Sequence, residues 1–203
     1  MYFYKNYAMP IVTNFKDLDL NGTYSYADYL KWKFEERLEL FRGKIFKMSP
    51  APSRNHQTIL SKLFIEFAKV FSKTSCNVYF APFDVRLVKF SINDEKVLTV
   101  VQPDLCVICD EEKLDDKGCV GAPDLIVEIL SPGNSKKEMG IKFDLYQENE
   151  VKEYWIIDPS EKTVLVYVLR DDNFIGLKPF IEDDNIKSTL FPTVNFPLSE
   201  IFN

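Results

Sequence analysis

Apolar residues recur along this chain at two spacings, helical repeats and short continuous runs, and their alternation outlines a mixed fold. Tyr26, Leu30, Phe34 and Leu38 recur at helical spacing behind Ser25-Tyr-Ala-Asp28, a capping-box pattern with Asp in place of the usual Glu. Arg42-Gly43 reads as a turn between Leu38–Phe41 and Lys44–Met48, which puts Glu39 near a helix-to-hairpin junction, and Ser49-Pro-Ala-Pro52 ends that unit. A second helix is predicted over Asn55–Phe71, burying Leu60, Leu63, Phe64, Phe67 and Phe71. Val78–Phe80 and Phe83–Val88 read as strand broken at Pro82, with Arg86 alternating out to solvent. Ser91–Lys96 is a polar turn into the strand Val97–Val101, and Asp110–Gly118 is a charged surface loop. Ser135-Lys-Lys-Glu138 is a second capping-box pattern, predicting a helix to about Glu148, with Lys136 and Lys137 at its start either solvated or meeting a phosphate. Glu153–Ile157 and Thr163–Leu169 flank Asp158-Pro159 as an antiparallel hairpin, and peripheral strands and loops follow from Asp171. With no repeat, low-complexity tract or linker, residues 1–203 are expected to form a single α/β (α+β) domain, a mixed sheet flanked by helices.

One apolar run carries an acid in its interior. Gly121-Ala-Pro-Asp-Leu-Ile-Val-Glu-Ile-Leu-Ser-Pro132 is rich in β-branched residues, as a strand covered on both faces should be, yet Glu128 sits inside it. A carboxylate there loses several kcal/mol of solvation unless something pairs with it, and a metal ion is a natural partner. Upstream, Leu98-Thr-Val-Val101 runs through Gln102-Pro103-Asp104 into Leu105-Cys-Val-Ile108. Proline removes a backbone donor and belongs at an edge, start or bulge, where the following side chain is re-aimed. Neighbouring strands lie roughly 5 Å apart, so Asp104 and Glu128 can converge on one cation. Asp124 and Glu128 share a face, but four residues of strand separate them by roughly 13 Å.

Composition narrows the classes. At 203 residues with 46% apolar content and 17 Phe, the chain has a substantial core. No apolar run reaches membrane-spanning length, and Met1-Tyr-Phe-Tyr-Lys5 lacks a signal-peptide layout, so the expectation is a cytoplasmic protein with no membrane partner. Cys106 and Cys109 have the spacing of half a zinc site without the second half. The four cysteines, Cys76, Cys106, Cys109 and Cys119, are expected to be reduced and buried. A net charge of −6 argues against a DNA-coating protein but leaves room for a nuclease with a local metal-assisted groove.

Magnesium favours carboxylate oxygens and keeps several waters, which suits Asp104 and Glu128 with substrate phosphate completing the shell; read alone, Asp104 serves as well as a turn residue after Pro103 and Glu128 as half of a salt bridge. Lys142 is the candidate cation for the charge developing on a phosphate; read alone, it serves as well as the helical partner of Glu138. His56, the one histidine, could assist proton transfer or pack as a satisfied boundary residue, and Glu39 could enlarge the acidic cluster. There is no phosphate-cradling glycine loop and no Gly-x-Ser-x-Gly elbow.

With these residues assembled, the sequence resembles the Uma family of restriction endonucleases, within the PD-(D/E)xK nuclease superfamily. The resemblance rests on Val101-Gln-Pro-Asp104, Ala122-Pro-Asp-Leu-Ile-Val-Glu-Ile-Leu-Ser-Pro132, Lys142 with Tyr146, and Glu153-Tyr-Trp-Ile-Ile-Asp-Pro159. Glu39-Leu-Phe-Arg-Gly43, Met48-Ser-Pro-Ala-Pro52 and His56-Gln57 match earlier blocks, so it spans about Tyr24 to Leu169. It implies a restriction-endonuclease-like core with its site at the strand carrying Glu128, and magnesium-dependent hydrolysis of DNA, with manganese as a substitute. Asp104 matches the first acid and Glu128 the second. Leu130 stands where the superfamily usually has its lysine, Lys142 matches the family's displaced lysine, and Glu138 stands where the family usually has Asp. The catalytic set is therefore Asp104, Glu128 and Lys142, supported by Glu39, His56, Asp124 and Glu138. A homodimer is compatible with cutting both strands. The competing expectation is a non-catalytic binding module on the nuclease fold, which the net acidity favours.

Overall fold

The computed structural model describes residues 10–48, 52–88, 93–131 and 136–203, and of Lys136 and Lys137 the backbone alone. The Met1–Lys5 start, Ser49 to Ala51 of the predicted terminator, Ser91 of the polar turn and the Ser135 cap lie outside the described residues. Strands and helices are numbered along the chain. One six-stranded sheet contains β1 (Leu38–Phe41), β2 (Lys44–Lys47), β4 (Val85–Arg86), β5 (Val100–Val101), β7 (Leu114–Asp115) and β8 (Gly118–Val120), in the order β2-β1-β5-β4-β8-β7. The second contains β3 (Asn77–Phe80), β6 (Leu105–Ile108), β9 (Leu125–Ile129), β10 (Glu153–Asp158), β11 (Thr163–Arg170) and β12 (Asn173–Gly176), in the order β12-β11-β10-β9-β6-β3. A short β13 (Phe180–Ile181) also pairs with β11. β9 and β10 run parallel and the other neighbours in this sheet antiparallel, so the sheet is mixed.

Proline marks each place where a strand of one sheet leads into a strand of the other without an intervening helix. β3 leads into β4 through Pro82, β5 into β6 through Pro103, and β8 into β9 through Pro123. Each proline lacks the N–H that would extend its ladder, so the strand leaves one sheet and joins the other. The crossings are tied together: the Ala81 N–H donates to the Asp104 carbonyl at 3.1 Å. At Gly118 (φ +126°) a Cβ would lie 2.2 Å from the Asp84 carbonyl oxygen, so that close approach of two backbones requires glycine.

Two long helices cover the second sheet. α2 (Arg54–Phe71), capped by the Ser53 hydroxyl, packs Ile59, Leu60, Leu63, Phe67 and Phe71 on Leu105, Val107, Leu125, Val127, Trp155 and Ile157. The alternate residues Cys106, Ile126, Tyr154 and Ile156 face the opposite way, toward Leu145 and Tyr146 of α3 (Lys136–Glu148). Phe41, Val85, Leu87, Val101 and Cys119 of the first sheet join the same cluster, so α3 packs with residues of both sheets. The period of two along β9 puts Glu128 in phase with Ile126, on the α3 side.

Several expectations are corrected. The first predicted helix is four residues long, α1 (Tyr26–Tyr29); its capping box forms through Ser25 and Asp28 as read. Beyond it Trp32 bridges Val12, and Tyr24, Tyr29 and Phe34 pack on the Trp32 ring, an aromatic cluster that overrides helical spacing. Leu38 then begins a strand, so Glu39 lies inside β1 opposite Phe46 rather than at a junction. Arg86 is 2% exposed, not solvated: Asp115 of the supposed loop hydrogen-bonds its guanidinium, with Asp94 at 3.7 Å. Cys76 and Cys109 form a disulfide, against the expectation of four reduced thiols, because the end of β6 brings Cys109 beside the residue that precedes β3. Cys106 and Cys119 are free and buried, and burial holds both thiols well above the ordinary range. No helix among the described residues is long and apolar enough to cross a membrane.

Candidate active site

The antiparallel register of β6 and β9 pairs Leu105 with Val127, so the next position brings Asp104 opposite Glu128. Asp104 has left the regular strand at Pro103, and its carboxylate turns to span both neighbours. Its Oδ2 accepts from the Ile129 N–H at 2.7 Å and lies 3.2 Å from Nε2 of His56, near the start of α2. The side chain stays 18% exposed, and Oδ1 takes no hydrogen bond among the described residues.

Glu128 is held from α3. Lys142 and Tyr146, one turn apart, present their polar ends to the same oxygen: Nζ to Oε1 at 2.9 Å and the hydroxyl to Oε1 at 2.5 Å. The ammonium also lies 3.0 Å from Glu39 Oε1, which accepts the Gln102 N–H at 2.8 Å. Lys142 therefore joins carboxylates from two different sheets. Glu128 Oε2 takes no hydrogen bond among the described residues.

The electrostatics follow from this packing. Burial pushes the Glu128 carboxyl up to about 7; Lys142 opposes the rise, the Asp104 and Glu39 charges add to it, and the Tyr146 hydrogen bond lowers it. Burial works against a charged Lys142, but Glu128 and Glu39 outweigh it and hold the ammonium protonated beyond the ordinary lysine range. Burial likewise would lower His56, yet its contact with Asp104 and the nearby Glu128 leave it above the ordinary histidine range. Nδ1 of His56 is buried without a hydrogen-bond partner among the described residues.

Asp104, Glu128, Lys142 and His56 line a cavity of about 100 Å³, together with Arg37, Gln57, Gln102, Ser131 and Glu138, while Glu39 and Tyr146 join through Lys142 and Glu128. The structure thus brings Asp104, Glu128, Lys142, Glu39, His56 and Glu138 to one place. It does not bring Asp124 there. That carboxylate sits at the other end of β9, accepting the Cys109 N–H at 2.8 Å and pairing with Lys152 at 2.6 Å. Among the described residues no group of three or more His, Cys, Asp or Glu is arranged to hold a metal. A two-carboxylate site remains, with one oxygen on each acid not engaged. That donor set fits magnesium, which binds through one or two carboxylates and leaves its other positions to water and phosphate.

Sequence reasoning missed Gln102 and Arg37. The Gln102 amide donates to Asp84 Oδ1 at 2.8 Å and to the Tyr29 hydroxyl at 3.3 Å, while its Oε1 accepts from Arg37 Nη2 at 2.9 Å. Two signals were present: Gln102 immediately precedes the Pro-Asp pair, and Arg37 stands two residues before Glu39, on the same face of an extended chain.

Paired mixed sheets, helices on the second sheet, and a carboxylate–lysine cluster where strands cross between sheets define a nuclease-like α/β fold. Residues 26–199 match the Uma2 family, described as "Putative restriction endonuclease", and the chain belongs to that family. A crystal structure described as a putative nuclease belonging to DUF820, from Anabaena variabilis ATCC 29413, superposes with a TM-score of 0.67. It covers 88% of this chain and 97% of that one at 20% identity, a likeness of fold. "Uncharacterized protein slr1290" of Synechocystis sp. (strain ATCC 27184 / PCC 6803 / Kazusa) is 26% identical over 148 residues, 71% of this chain and 74% of that protein.

Proposed function

We propose that the chain is a metal-dependent endonuclease that hydrolyses phosphodiester bonds of DNA, with Asp104 and Glu128 holding magnesium, or manganese in its place. The observation that supports this most is Lys142, buried between Glu128 and Glu39 beside the engaged Asp104. Asp104 and Glu128 would hold a magnesium that, when bound, would supply positive charge to the phosphate oxygens and make water a better nucleophile. The protein's own groups do the rest. Ile129 and His56 fix one oxygen of Asp104, and Lys142 with Tyr146 fixes one oxygen of Glu128, so each acid offers its other oxygen with no rotamer left to order. Lys142, held protonated, acts as a donor to the charge growing on the phosphate and not as a base near neutral pH. Glu39 keeps that ammonium in place from the other sheet.

The test is cleavage of mixed DNA substrates with magnesium or manganese, comparing wild type with Glu128→Gln. Metal-dependent cleavage that chelation abolishes is expected, with a loss of at least about 100-fold in the variant, since removing an electrostatic group at a reacting centre has effects of that order. A folded wild type that cleaves nothing with either metal would favour a binding module on the nuclease fold.

A further inference from the structure

We infer that Arg37 and Gln102 form a phosphate-binding subsite beside the metal-binding acids, taking a non-scissile phosphate of the nucleic-acid strand; this rests on the nuclease reading. The chain carries a net charge of −6, so an anionic strand must be met by local cations. Among the described residues, three basic side chains line the cavity: Lys142, His56 and Arg37. Lys142 is held between two carboxylates and His56 touches a third. Among the described residues, Arg37 alone of the three makes no ion pair. It is exposed, and one bond from Nη2 to Gln102 uses a single one of its five N–H donors. No other hydrogen bond of its side chain occurs among the described residues.

The guanidinium is aimed, not left to wander. The Gln102 side chain is oriented from behind by Asp84, which also accepts from the Tyr26 hydroxyl at 3.1 Å. With its amide nitrogen committed there, the Gln102 oxygen must face Arg37. The Arg37 carbonyl accepts the Met48 N–H at 3.0 Å, which extends the β1–β2 hairpin and fixes the backbone below the side chain. Glu35 and Glu36 precede Arg37 in sequence, but neither lines the cavity. A planar fork with free donors at the rim of an acidic pocket suits a phosphodiester oxygen pair. Arg37 is the binding residue and Gln102 its positioning residue, acting through its side chain while its backbone N–H holds Glu39.

The experiment measures binding of labelled single-stranded and duplex DNA oligonucleotides by anisotropy against salt, with calcium replacing magnesium, and separately kcat and KM for cleavage with magnesium. Arg37→Ala is expected to weaken binding about 10-fold and to reduce the slope of log affinity against log salt by about one, with Arg37→Lys intermediate. Gln102→Leu is expected to move the same two readouts, with manganese affinity unchanged in every variant, whereas a merely structural role would not alter the salt slope. Arg170→Ala, which removes an exposed charge remote from the cavity, is the control and should match wild type. Cleavage by Arg37→Ala should show a raised KM and a kcat within about threefold of wild type. Unchanged affinity and slope in Arg37→Ala would overturn the subsite, as would a wild type that binds neither oligonucleotide. Binding that depends on Arg37 in a protein that cleaves nothing would support the subsite and sink the endonuclease reading.

Discussion

Glu128 illustrates how one buried residue can couple stability and pH to the proposed metal. Its carboxyl is raised from an ordinary 4.5 to about 7, so between those values the folded protein holds a proton that the unfolded chain releases. The stability linked to that proton is full below 4.5 and fades as pH rises through 7. His56, raised as well, acts in the same sense, and with one histidine in the chain few other groups titrate between pH 6 and 8. Metal-free protein should therefore lose roughly 1 kcal/mol from pH 6 to 8, read as a falling Tm that Glu128→Gln partly flattens. Metal affinity should run the other way, rising about 10-fold across the same range as Glu128 ionises; affinity that is flat with pH would contradict the assigned pKa. Tyr146→Phe removes the hydroxyl that favours ionised Glu128. It should weaken manganese binding about 10-fold, the scale of lost support behind a metal ligand, and calorimetry checks it.

At the scale of elements, the runs that became strands were legible where local pattern and burial agreed. The Asp124–Leu130 run, the β10–β11 hairpin and the second helix all carry their apolar period in the sequence. The acids of the cluster were legible because a charge within an apolar run is conspicuous, and Pro103 marked the irregularity beside Asp104. Three things were not. Tyr26 to Leu38 keeps a helical spacing, but ring packing around Trp32 is a tertiary effect that no local window contains. The burial of Arg86 depends on Asp94 and Asp115, acids 8 and 29 positions later in the chain. The meaning of Pro82, Pro103 and Pro123 as sheet crossings needs the two sheets. The tightest of these approaches gives a test: Gly118→Ala would drive a Cβ to 2.2 Å from the Asp84 carbonyl and strain a positive φ. A loss of about 2–4 kcal/mol in urea unfolding is expected, and a loss under about 0.5 kcal/mol would contradict the close packing of β4 on β8.

At the scale of the whole molecule, the site exists because two sheets and two helices meet. Glu39 comes from the first sheet, Glu128 from the second, Lys142 from α3 and His56 from α2, so no supersecondary unit alone carries it. The disulfide is another long-range tie, closing a segment whose ends are 33 positions apart. Two of the four cysteines should react with a thiol reagent in denaturant without reductant, and four in its presence. Reduction should remove about 3–4 kcal/mol on a chain-entropy basis. Four reactive thiols without reductant would contradict the bond. The proposed metal site requires Asp104 and Glu128 to share one ion. Its most direct measurement is calorimetric titration of manganese into wild type, Asp104→Ala and Glu128→Gln, with the exposed Glu148→Gln as control. One site is expected in wild type and control, lost or weakened at least about 10-fold in both other variants. Equal binding in all four proteins would place the metal elsewhere and contradict the shared site.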